Sequence, residues 1–161
     1  MSKQKLIYLA APLFSLNERT ANRRLVKAVE TLLPTVTFIL PQDIKVHSRF
    51  NDKRFFKLTY DACVKGIDDA QAVVAICDGC DSDPGTAWEM GYAHAKGKPV
   101  IAIRTDFRAN QELGMNLMLS RGCERVIFRP SFDENFNALA KDVARALKFT
   151  LKLEKTASKS L

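Results

Sequence analysis

No apolar run in this 161-residue chain approaches the roughly 20 residues that a membrane-spanning helix needs. The stretch 6–12 is apolar but too short for the hydrophobic region of a secretion signal, and no small-residue cleavage site follows it. It reads as a first core strand, and the expected compartment is the cytoplasm. Histidine is scarce, with His47 and His94 the only two. That leaves little support for Ser/His/Asp catalysis, and both histidines read as surface or packing residues. Cysteine is limited to Cys63, Cys77, Cys80 and Cys123. Cys77-Asp-Gly-Cys80 has CxxC spacing, but it has no second pair or nearby histidine to complete four zinc ligands. It also falls at a strand end, whereas a redox pair belongs at a helix N-terminus. Nucleotide fingerprints are missing too: the first strand runs into Ala10-Ala-Pro-Leu-Phe14, neither GxGxxG nor a P-loop. No metal and no organic cofactor is therefore expected. The net charge is +7, from 25 Lys and Arg against 18 Asp and Glu. The basic residues are scattered over helix faces and the C-terminal tail, without the single stripe and interleaved aromatics of a nucleic-acid binder.

What is present is regular alternation. Segments 6–10, 36–40, 72–77, 99–103 and 125–128 are short, apolar and rich in β-branched residues, as buried strands are. Between and after them, 17–33, 52–69, 84–96 and 132–151 carry helical periodicity, with Gly97 expected to cap the third helix. The connection 104–123 is too long for a plain turn and is a candidate for function. Continuously apolar strands alternating with helices predict an α/β fold: a flavodoxin-like, doubly wound, five-stranded parallel sheet with helices on both faces. A single domain over 1–161 is expected, with 152–161 a flexible tail. Ligands of such sheets bind beyond the carboxyl ends of the strands, which draws attention to the loops after Ala10, Leu40, Cys77 and Ile103.

The most informative segment is Asp81-Ser-Asp-Pro-Gly-Thr-Ala-Trp-Glu-Met-Gly-Tyr-Ala93. Asp83 suits a helix N-cap and Pro84 the first helical position. Glu89 follows in the second turn, surrounded in sequence by Ala87, Trp88, Met90, Tyr92, Ala93 and Ala95. It reads either as an exposed residue of a well-capped helix or as a functional carboxylate, since an acid among apolar neighbours needs a partner. Gly85 and Gly91 allow close backbone approach. Carboxylates, Tyr8 and amides at the strand ends suit glycosyl transfer, in which one carboxylate attacks an anomeric carbon and an acid assists the leaving group.

Ile7-Tyr-Leu-Ala-Ala-Pro-Leu-Phe14, Gly85-Thr-Ala-Trp-Glu-Met-Gly-Tyr-Ala93 and Asn116-Leu-Met118 together resemble the nucleoside 2-deoxyribosyltransferase family, over roughly residues 5–130. The resemblance implies an enzyme that moves 2-deoxyribose between purine or pyrimidine bases with net retention at C1′. Its expected substrates are 2′-deoxynucleosides and free nucleobases. Glu89 would be the nucleophile, Tyr8 would orient it, and Asp83 would bind the sugar or assist proton transfer. Phe14 and Trp88 would line the pocket, although both also read as core aromatics. Gln42 and Asp43 are candidates to read the base edge, and Ala10 and Gly85 complete the substrate-binding set. Asn116 and Met118 would reach into a neighbour's site, implying a homo-oligomer, hexamer or tetramer.

The chain departs from the family pattern in its C-terminal tail, unlike the short terminus that closes the site in some relatives, and at one position of the second helix. Many members carry Asp three residues before the position of Gly66, where this chain has Cys63. Asp61 lies two residues earlier, about 200° around the helix, and cannot simply substitute. Two rival readings are a 2-deoxynucleoside 5′-monophosphate N-glycosidase and a non-catalytic nucleotide-binding module. The glycosidase relatives tend to have Ser at the position of Asp83, which could donate to a phosphate that an ionised Asp would repel.

Overall fold

A computed structural model describes residues 4–50, 52–108, 111–130 and 135–153. Five strands, β1 (Lys5–Ala10), β2 (Val36–Ile39), β3 (Ala72–Ile76), β4 (Val100–Arg104) and β5 (Arg125–Phe128), alternate with helices α1 (Leu16–Leu32), α2 (Lys53–Asp69), α3 (Pro84–Ala95), α4 (Leu117–Arg121) and α5 (Phe136–Thr150). All strand pairs are parallel, in the order β2-β1-β3-β4-β5. This is the flavodoxin-like winding expected from the pattern, with its switch point between β1 and β3.

Successive residues on a strand face opposite sides, and the two sides are packed differently. Ile7, Leu9, Val74, Ile101 and Ile103 point toward α1 and α5, into a core of large aliphatic side chains. Tyr8, Ala10, Val73, Ala75, Val100 and Ala102 belong to the cluster that includes Ile67 of α2 and Met90 and Ala93 of α3. Ala10, Ala75 and Ala102 lie in register across β1, β3 and β4. Three methyl groups in a row allow α3 to approach the sheet closely and bring its Glu89 down to the level of Tyr8.

The helix starts follow local chemistry. Ser15 and Glu18 form a reciprocal capping box on α1. Asp52, Asp83 and Asn135 cap α2, α3 and α5 through their side chains. Helix α3 ends at Ala95 with Lys96 as C-cap, and Gly97 follows at φ +68. The left-handed residue thus stands one place beyond the cap. Helix α5 begins at Phe136, later than its periodicity suggested, and positions 132–134 lie outside the described residues. Leu153, assigned to the tail from the sequence, packs against the aliphatic core, while 154–161 lie outside the described residues. The long connection after β4 contains the short helix α4, which the sequence pattern did not reveal. Among the described residues no helix is long and apolar enough to cross a membrane.

Candidate active site

Tyr8 and Glu89 meet across 81 positions of sequence, with the Tyr8 hydroxyl donating to Glu89 Oε1 at 2.5 Å. Tyr8 reaches this point from the middle of β1 and is fully buried. Glu89 reaches it from the second turn of α3, at the edge of the alanine-rich cluster, and is half-buried. Burial pushes the Glu89 carboxyl up to about 7, helped by the charge of Asp83 and opposed by the Tyr8 hydrogen bond. A carboxylate in this state is divided between charged and neutral forms near neutral pH, and one oxygen is oriented by a donor. It can act as a nucleophile or exchange a proton. Burial, and then the charge of Glu89, raise the Tyr8 phenol far above its ordinary value, so it stays a donor.

Asp83 is the N-cap of α3, and its Oδ2 accepts from Thr86 N at 2.8 Å and Thr86 Oγ1 at 3.2 Å. Gly85 is exposed, and a Cβ there would stand 3.1 Å from Asp83 Oδ2. Ala10 is buried at the end of β1. The structure therefore brings Tyr8 to Glu89 and places Asp83 within electrostatic reach. The other candidates are spread more widely. Gln42 bridges the loop after β2 to α1, donating to Arg19 O at 3.0 Å and accepting from Asn22 Nδ2 at 3.1 Å. Asp43 is exposed and pairs with Arg23 at 2.7 Å. Phe14 is exposed in the loop before α1. Trp88 is not a core aromatic: it is 46% exposed, stacks on Tyr92 and leans on Tyr60 of α2. One residue from Glu89 on a helix is about 100° of rotation, and that carries the indole to the outer side.

Asn116 caps α4, accepting from Met118 N at 2.9 Å. Met118 is 78% exposed on the rim of an apolar groove of about 560 Å³ between α3 and α4, floored by Met90 and Gly91. His94, also in this groove, has Nδ1 3.0 Å from the Gly122 carbonyl oxygen. Asp61 pairs with Lys57 on the outer face of α2, while Cys63 packs with the Tyr8 cluster. The two side chains do not share a face of the helix.

In sequence Arg104 carries a single signal, a charge at the end of an apolar strand. It is fully buried. Its guanidinium donates to the Cys77 carbonyl at the end of β3 and to the Arg108 carbonyl in the next loop. Gly114 sits on it at φ +71, where a Cβ would stand 3.0 Å from Arg104 Nε. Asp78 accepts from Thr105 N and Asp106 N, and Asp106 accepts from Gly79 N. These bonds tie the loop leading to Asp83 and the loop leading to Asn116 into one network. Cys77 is buried beside Met90, and burial pushes its thiol up to about 11. Among the described residues no cluster of three or more His, Cys, Asp and Glu side chains is placed to hold a metal ion.

The family model described as nucleoside 2-deoxyribosyltransferase matches residues 7–118, a span that contains Tyr8, Asp83, Glu89, Asn116 and Met118. An uncharacterized protein of Ureaplasma parvum is 34% identical over 123 residues, covering 69% of this chain and 77% of the relative. Among solved structures, a conserved protein from Enterococcus faecalis V583 superposes with a TM-score of 0.69 at 27% identity, over 89% of this chain and 99% of the other. A 2-deoxyribosyltransferase from Bacillus psychrosaccharolyticus superposes with a TM-score of 0.65 at 23% identity, over 84% and 90% of the two chains, and shares the fold.

Proposed function

Because the chain belongs to the nucleoside 2-deoxyribosyltransferase family, we propose that it transfers 2-deoxyribose between nucleobases through a covalent ester on Glu89. The observation that carries this reading is the 2.5 Å hydrogen bond from Tyr8 to a half-buried Glu89. In the first half-reaction the ionised Glu89 attacks C1′. The C1′–N bond breaks, its electron pair leaves with the base, and a ring nitrogen of the base takes up a proton. The new C1′–O bond inverts the anomeric centre. In the second half-reaction a nitrogen of an incoming base attacks C1′ from the vacated side. The ester C–O bond breaks, the carboxylate is restored, the base loses its proton, and two inversions give net retention. Tyr8 leaves one Glu89 oxygen to attack by holding the other. In this proposal Asp83, whose Oδ2 caps α3, accepts from the sugar hydroxyls through its carboxylate. Phosphate enters at no step.

The acting unit in this proposal is a homo-oligomer. Exposed Met118, beside the apolar groove between α3 and α4, supports a second copy docking there with Asn116 and Met118 facing the neighbour's site. The test mixes thymidine with adenine in phosphate-free buffer and follows the products by chromatography. Deoxyadenosine and thymine are expected from the wild type, and neither from Glu89→Gln. Free deoxyribose as the only sugar product, or a requirement for phosphate, overturns the transferase reading. Turnover by Glu89→Gln near the wild-type rate removes Glu89 from the mechanism.

A further inference from the structure

Arg104 ends β4 on the side of the sheet that faces α3, two residues after Ala102, and it is fully buried. A buried arginine normally lies against a carboxylate. Here Asp106 Oδ1 stays 3.9 Å from Nη2, while Asp106 accepts from Gly79 N and from Arg108. The guanidinium is held by carbonyls instead. Nη1 donates to Cys77 O and Nη2 to Arg108 O at 2.8 Å, and Nε finds no acceptor among the described residues. Such a group is costly to bury and adds little stability over an apolar side chain. Cys77 opens the loop that runs to Asp83, and Arg108 lies in the loop that runs to Asn116 and Met118. Gly114 rests on the guanidinium, where a Cβ would stand 3.0 Å from Nε and 2.9 Å from Arg108 O. Gly114, Leu113 and Gln111 have left-handed φ of 71°, 53° and 48°, a conformation that leucine and glutamine rarely adopt unless their surroundings impose it. The same turn grips α4: Gln111 Oε1 accepts from Leu117 N at 2.8 Å, and Glu112 Oε2 accepts from Ser120 Oγ at 2.9 Å.

We propose that Arg104 is a positioning residue: by fastening the turn 111–115 to the end of β3, it fixes where α4 presents Asn116 and Met118 to a neighbouring subunit. The planar fork of a guanidinium reaches two carbonyls at once and lies flat against the backbone of Gly114. An ammonium is a single point of charge and cannot span both carbonyls in this way. Removing the fork frees the left-handed turn, and α4 moves with it through Gln111 and Glu112. Arg104 thus acts through α4 and not on the substrate itself. The inference rests on the proposed placement of Asn116 and Met118 in a neighbour's site.

Two measurements on the full chain test it. The first is amide hydrogen exchange followed by mass spectrometry, which needs no turnover. Arg104→Leu is expected to speed exchange over 111–121 by about tenfold, the opening that one lost hydrogen bond permits, while α1 and α5 keep wild-type protection. Arg104→Lys keeps the charge without the fork and is expected to fall between the two; should Arg104→Leu not fold, it makes the same comparison. The second measurement is transfer from thymidine to adenine. Arg104→Leu is expected to lose about a hundredfold in kcat/KM, as a displacement of about 1 Å can cost. Co-expressed with inactive Glu89→Ala, it should regain activity. One site of the mixed oligomer then combines Glu89 from the Arg104→Leu chain with an undisturbed α4 from the other, a rescue that a merely structural role would not produce. Unchanged exchange over 111–121, or exchange raised equally in every helix, overturns the role of Arg104. Activity that is lost in Arg104→Leu and not regained in the mixed oligomer overturns the action through α4. A wild type that makes no deoxyadenosine defeats the transferase reading, and the exchange pattern alone then decides whether Arg104 holds α4.

Discussion

Replacing Glu89 by Gln should make this protein more stable at alkaline pH while abolishing its turnover. The fold holds the carboxyl where its neutral form is favoured, raising it from 4.5 to about 7, chiefly by burial. Below pH 4.5 it is protonated in the folded and unfolded chains alike, and the site imposes no penalty. As pH rises toward 7 the unfolded chain has already released its proton while the folded chain still binds it, so stability falls. Above pH 7 the full cost of holding a charge in this place is present. The interval from 4.5 to about 7 corresponds to about 3 kcal/mol, at about 1.4 kcal/mol per pH unit. Glutamine escapes that cost, because it never ionises and its amide oxygen can still accept from Tyr8. For a chain of this size about 3 kcal/mol is about 6–12 °C in melting temperature. Thermal melts of wild type and Glu89→Gln, at one protomer concentration, should differ by that amount at pH 8.5 and converge at pH 4.5. A variant that melts no higher than wild type at pH 8.5, or that gains equally at both pH values, refutes the reasoning. The confirming result would mark Glu89 as a group retained at the expense of stability, as functional groups commonly are.

Tyr8→Phe deletes the donor that favours ionised Glu89. The acidic limb of kcat/KM against pH should therefore move up by about 1–2 pH units, with smaller losses above the new midpoint; an unmoved limb removes Tyr8 from this role. Asp83→Ala should cost about 1 kcal/mol of stability through the lost N-cap, seen as a lower melting temperature, whereas Asp83→Ser keeps a capping oxygen and should stay near wild type. The same Asp83→Ser variant should gain use of thymidine monophosphate as donor and lose use of thymidine. Equal use of both by the wild type would show that the Asp83 charge does not exclude phosphate. Light scattering at assay concentration should find an oligomer, and mixing inactive Glu89→Ala with inactive Asn116→Ala should restore part of the activity if sites are completed by a neighbour. A fully active monomer contradicts the role assigned to Met118 and Asn116.

Most of the architecture is legible in the chain because its determinants are local. Five short apolar runs separated by helical periods specify strands and helices, and strands without polar alternation specify a sheet covered on both faces. Asp83-Pro84 announces the start of α3 through capping and ring geometry alone. Glu89 could be picked out because a carboxylate among apolar neighbours is locally anomalous. Which groups meet it could not be read from local pattern. Tyr8 lies 81 positions away, and its approach depends on three in-register alanines that bring α3 close to the sheet. The phase of α2 places Cys63 on the Tyr8 cluster and Asp61 in an outer ion pair. Rotation of one residue turns Trp88 outward, although in sequence it is as close to the site as a residue can be. Arg104 looks like a strand-end charge until the loops after β3 and β4 close over it and supply carbonyl partners. Periodicity and capping act within a few residues and are written in sequence. Register, helix phase and burial arise only when distant segments pack, and they determine which side chains share the site.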